Sequence, residues 1–144
     1  MGLLDKVFGA KPTKKATDDV LLLHSMLLMC GVDGAVEASE IATIEAFVNT
    51  LPEFEGKDFD GLMAQAKKLA SRYPNLKDSV NALSEIQSEA IRRKAFVLAV
   101  DIAMSSGDVD ESEEELLEAM QPILQIDDEL AHKIVEVLAL KYAR

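Results

Sequence analysis

The sequence predicts an all-α fold, and three observations carry that prediction. No stretch alternates polar and apolar residues with the period of a strand. Apolar residues instead recur every three or four positions, and Leu, Ala, Val, Ile and Met supply most of them, with no tryptophan and few aromatics. Prolines and glycines cut the chain at intervals of about one helix length.

The opening, MGLLDKVFGAKPTKK, differs in character from the rest. Leu3, Leu4, Val7 and Phe8 fall on one face of a short helix, and Lys11, Lys14 and Lys15 follow. That is the shape of a weak interfacial anchor, a partner-docking helix, or a first turn packed on the domain. It does not fit the myristoylation pattern, because Lys6 stands where Ser or Thr is needed. The expected division is an amphipathic extension over residues 1–16 and a single domain over 17–144.

Thr17 and Asp18 open the first domain helix, which runs from Asp19 to about Val32 and is apolar almost all round, as a buried helix is. Gly34 is expected to end that unit. The second helix spans Ala38 to Leu51, with Ile41, Ile44, Val48 and Leu51 at helical spacing, and Pro52 stops it. The third covers Phe59 to Arg72, with Leu62, Met63, Ala66 and Leu69 inward and Lys67, Lys68 and Arg72 toward water. Pro74 and Asn75 break it. A short piece follows over Leu76 to Leu83, then an apolar helix over Ser88 to Met104, ended by Gly107. Glu111 to Leu124 and Asp127 to Tyr142 complete about seven helices, the last with Leu130, Ile134, Val137, Leu138 and Leu140 inward.

The second half repeats the first at an offset of 73 residues. Gly34 falls on Gly107, Val36 on Val109, Ser39 on Ser112 and Glu40 on Glu113, while Glu37 falls on Asp110 with its charge kept. The match continues with Glu45 on Glu118, Ala46 on Ala119 and Leu51 on Leu124. Two three-helix units related by an internal repeat are therefore expected.

Two accounts of the repeated acids stay open. In the first, Glu37 and Asp110 are N-caps and Glu40 and Glu113 are the third-position partners of capping boxes, with Val36 and Val109 plugging the loops onto the core. In the second, Asp33, Glu37 and Glu40 in one loop, and Asp108, Asp110 and Glu113 in the other, hold a hard divalent cation, Ca²⁺, Mg²⁺ or Mn²⁺. Neither loop has the glycine placement of an EF-hand. A carboxylate has two oxygens, so a cap can also be a ligand.

These two stretches, VDGAVEASE and SGDVDESEE, each following an apolar helix, together with the amphipathic start GLLDKVF, resemble the TerB-like family of tellurite-resistance-associated helical domains. That domain is also found in membrane-anchored DnaJ-like co-chaperones. The resemblance covers about Asp18 to Tyr142. It implies about seven helices, no catalytic centre, acidic loops that hold metal, and a stress-response role with protein partners, some at the membrane. Family members with an Asp-Gly pair in both halves match Asp33-Gly34 here, but the second half has Ser106-Gly107.

Other features narrow the function. A formal net charge of −11 counts against nucleic acid as a partner. The single cysteine, Cys30, excludes an intrachain disulfide and points to a reducing compartment. No secretory signal is visible and no apolar run approaches the ~20 residues of a membrane span. The expected location is the cytoplasm, at most peripheral to the inner membrane face through the N-terminal helix. No nucleophile–base pair, phosphate loop or thiol redox motif appears, so a non-enzymatic role is expected. His24 and Cys30 read as core filling, His132 as surface, and Glu111 to Glu115 as a solvated face. Asp101, one acid in an apolar helix, needs a donor, a cation or a solvent face. The reading reached is an adaptor whose acidic loops bind divalent metal; the alternative is an interaction or dimerisation module in which the acids are only caps.

Overall fold

The computed structural model describes residues 16–31, 36–105 and 107–144. Seven α-helices follow one another among them: α1 (Asp18–Cys30), α2 (Ala38–Val48), α3 (Phe59–Ser71), α4 (Leu76–Asn81), α5 (Glu89–Ser105), α6 (Glu111–Ile123) and α7 (Asp128–Lys141). Single 3₁₀ turns sit at Pro52–Phe54 and Ala82–Glu85. No strand occurs among the described residues. The N-terminal extension lies almost wholly outside them, as do Asp33 and Gly34.

Helix α1 has no polar face, and Asp19 through Met29 are buried without interruption. Such a helix must be surrounded, and α1 packs along α5 and α3, with the turn at Ala82–Glu85 closing over it. Most of its polar groups are paired, His24 Nδ1 being the buried exception. Asp18 accepts the backbone N–H of Gln87 at 2.9 Å and of Ser88 at 3.0 Å, tying the start of α1 to the start of α5. Asp19 accepts from Lys57 Nζ at 2.6 Å, from the Val20 amide at 2.8 Å and from the Thr17 hydroxyl. Burial pushes the Asp19 carboxyl up, but Lys57 and Thr17 more than reverse that, so it titrates below its ordinary value. His24 is fully buried, with Nε2 donating to the Ser79 carbonyl at 2.8 Å.

Helices α1 and α5 run side by side in the same direction. Their starts meet through Asp18, and their ends meet where Cys30, Ile102 and Ser105 line one cleft. The C-terminal ends of these two helices thereby lie at the same end of the molecule. The 73-residue register persists in the helices there, since α2 begins at Ala38 and α6 at Glu111.

Asp101 lies on α5, buried, and is met by Lys141 Nζ at 3.0 and 3.1 Å and by the Tyr142 hydroxyl. The partner is thus structural. The same ammonium sits 5.5 Å from the Phe47 ring centre and 5.1 Å from that of Tyr142, so α2, α5 and α7 converge on it. The hydrogen bond to Asp101 holds the Lys141 pKa above its ordinary value.

Four expectations need correction. Val137 and Leu140 are not inward but 64% and 78% exposed. Helix α7 lies at the edge and packs chiefly on α5, so only the arc of Ala131, Ile134 and Leu138 is covered. Val109 is exposed rather than plugged into the core, while Val36 does pack against it. Glu113 is buried within its otherwise exposed acidic run. The residue after α1 that caps it is Gly31, whose N–H reaches the Leu27 carbonyl at 2.8 Å.

Helix α6 ends in a Schellman turn without its usual glycine. Gln125 takes φ +59°, its N–H bonds the Pro122 carbonyl at 3.1 Å, and Ile126 N–H bonds the Gln121 carbonyl at 3.0 Å. Buried Ile126 holds that turn closed.

Candidate metal centre

The first turns of α2 and α6 both carry capping boxes. At α6, Asp110 Oδ1 accepts the Glu113 N–H at 2.8 Å and Glu113 Oε1 accepts the Asp110 N–H at 3.2 Å. At α2, Glu40 Oε1 accepts the Glu37 N–H at 2.9 Å, and the Glu37 side chain faces the Glu40 N–H in return. Each box places a carboxylate at the positive end of a helix dipole.

The cap residues do more than close their own helices. Glu40, Asp108, Asp110 and Glu113 line one cleft of about 460 Å³, floored by Met29, Cys30 and Ile102 and edged by Thr43 and Ser105. The sequence groups the acids loop by loop. The structure instead brings Glu40 of the first half beside the three acids of the second, because the parallel α1 and α5 end together. Glu37 is exposed and does not line the cleft, and Asp33 lies outside the described residues. Thr43 and Ser105 escape sequence reading, although Thr43 lies one turn beyond Glu40.

Cys30 reports on the charge in the cleft. Burial pushes its thiol up to about 12, with the carboxylates of Glu40 and Glu113 adding to the shift. Acids from the two halves therefore act on one sulfur atom, and the thiol stays protonated and inert at neutral pH.

The donor set is oxygen-rich and anionic, which suits a hard cation. Its spacing is open. Among the described residues no three His, Cys, Asp or Glu side chains gather closely enough to hold a metal ion. A cation fitting the described groups would keep much of its water, as Mg²⁺ does, and touch the carboxylates largely through it.

The class these features define is an all-helical domain with an acidic cleft shared by the capped starts of two helices. The chain belongs to the TerB family, whose model, described as "Tellurite resistance protein TerB", matches residues 20–135. No curated protein and no solved structure matches the chain. Among the described residues no helix is long and apolar enough to cross a membrane.

Proposed function

We propose that the chain is a non-enzymatic stress-response adaptor of the tellurite-resistance type, whose acidic cleft takes a divalent cation and links its occupancy to a protein partner. The observation that carries this reading is the convergence of Glu40 and Glu113 on Cys30. Acids from both halves face one space, where a cation would relieve their mutual repulsion. Glu40, Asp108, Asp110 and Glu113 would hold the hydrated ion, with Asp33 as a further donor.

Calorimetric titration of the full chain with Mg²⁺, Ca²⁺ and Mn²⁺ tests it. Saturable heat is expected, weakened by Glu40→Gln, by Asp108→Asn and by Asp33→Asn. No saturable heat up to millimolar metal overturns the cation site and leaves the acids as caps alone.

A second reading, a dimerisation or interaction module without metal, is favoured by the exposed Val137 and Leu140 on the outer side of α7. Sedimentation of wild type against Val137→Lys separates it, because only that reading predicts a change in assembly with no metal present.

A further inference from the structure

A trough separate from the acidic cleft runs along α5 between α6 and α7, with a volume of about 620 Å³. Helices α6 and α7 each pack on α5, and Phe96, Val100 and Met104 line the trough from successive turns of it. Leu117 of α6 and Val135 of α7 add apolar walls. Val135 and Val109, both lining it, are 40% and 39% exposed, so large apolar side chains stand in water there.

Three exposed carboxylates, Glu114, Glu118 and Asp128, edge this apolar surface. Among the described residues no lysine or arginine lines it, and His132 is the remaining ionisable group on it. None of the ion pairs among the described residues uses the three acids. Asp128 is met by a neutral donor, Gln121 Nε2, at 2.8 Å. The repeat shows that the helix pattern does not impose this polarity. At the positions equivalent to Glu114 and Gln121, α2 carries Ile41 and Val48, both packed with the core.

The lining fixes the kind of occupant. The trough is open rather than enclosed, so it would leave much of a small molecule in water. Its walls are helices and offer no sheet edge, so a peptide lying in it must satisfy its own N–H and C=O groups. A helix does so, and an extended strand does not. From Phe96 to Met104 the floor is about 12 Å long. That length meets roughly two turns of an incoming helix, with apolar residues about one turn apart. Acidic edges call for basic residues beside that stripe, and they repel an anionic lipid surface. We propose that the trough receives an amphipathic helix of a partner protein, its apolar stripe on α5 and its lysines or arginines facing Glu114, Glu118 and Asp128. This names the docking surface of the adaptor reading and rests on that reading for a partner, but not on the cation.

The probe is a peptide of leucine and lysine, with leucines at i, i+4 and i+7 of a helix and lysines flanking them. Added to the full-length chain without metal at about 0.15 M salt, it should shift the methyl resonances of Val100, Val109, Leu117 and Val135 saturably. A scrambled peptide of the same composition, which has no continuous stripe to bury, should bind roughly tenfold more weakly or worse. Glu114→Lys combined with Glu118→Lys should weaken binding about tenfold, with the circular dichroism unchanged. Glu45→Lys combined with Glu55→Lys makes the same change of charge at exposed residues that do not line the trough, and should alter binding less than about twofold. Equal weakening by the two pairs, or equal binding of the scrambled peptide, would reduce the interaction to net charge and overturn the proposal. No binding would overturn it too. A footprint centred on Thr43 and Ile102 in the acidic cleft would overturn the trough while leaving the adaptor reading in place. Concentration-dependent shifts of the same methyls without peptide would identify a second copy as the occupant and overturn it as well. With metal absent throughout, each of these outcomes is independent of what calorimetry finds at the cation cleft.

Discussion

Helices α2 and α6 start at equivalent points of the repeat, carry the same cap chemistry and face the same cleft, yet they are buried differently. Helix α2 buries only Ile44 and Val48. Helix α6 buries Glu113, Leu116 and Met120, whose equivalents are Glu40, Thr43 and Phe47. The buried arc has rotated by about one residue position. The cause is α4 and the turn after it, which pack on α6 and leave α2 held chiefly by α1. Repetition in sequence fixed the helix starts, and the linker between the halves decided which face each helix shows the core. The lesson concerns the site: its two walls differ in rigidity, and Glu40 stands on the more weakly held one.

The largest expected effect of this asymmetry is at the pair Thr43 and Leu116. Leu116→Ala should destabilise the chain by about 2–4 kcal/mol, and Thr43→Ala by about 0.5 kcal/mol or less. Urea unfolding of both variants checks it, and equal losses would break the comparison.

Next comes Asp101, which stands where the first half has Leu28. Lys141→Ala leaves a buried carboxylate with the Tyr142 hydroxyl as its remaining side-chain partner, and should cost about 1–2 kcal/mol. Asp101→Leu, copying Leu28, should cost less, because the half-exposed ammonium of Lys141 returns to water. The order of the two midpoints in chemical denaturation is the readout, and the reverse order would refute this account of the trio.

The caps sharpen the comparison further. Asp110→Ala removes an N-cap bond that is made and should cost about 1 kcal/mol. Glu37→Ala should cost less, since aspartate is among the preferred N-cap residues and glutamate is not. Thermal melts of the two variants, with and without divalent ion, separate capping from any contribution of a bound cation.

The smallest effect is one of pH. Burial pushes the His24 pKa below its ordinary 6.5, and the bond to the Ser79 carbonyl only partly opposes this. With the folded value depressed, the unfolded chain binds the proton more readily. Stability is then full above pH 6.5 and declines as pH falls below it. The second half has Val97 at the equivalent position and contributes nothing of the kind. A plot of urea midpoint against pH should be flatter for His24→Gln than for wild type.

The sequence by itself determined the helix class, nearly all the helix limits, the central place of α1 and the two capping boxes. These follow from local physics: the apolar period of three to four, the prolines, and short acidic side chains that reach their own backbone. Sequence also marked Asp101 as an acid in need of a partner. It could not name Lys141 and Tyr142, which lie 40 and 41 residues away. Only the tertiary structure decided that α1 and α5 run parallel and bring Glu40 to Asp108, Asp110 and Glu113 across the repeat. The same holds for Val137 and Leu140, whose spacing fits an inward stripe equally well. A helix pattern says which residues share a face, but the neighbours that cover that face come from distant parts of the chain. At the edge of this bundle α7 has too few of them to bury it all.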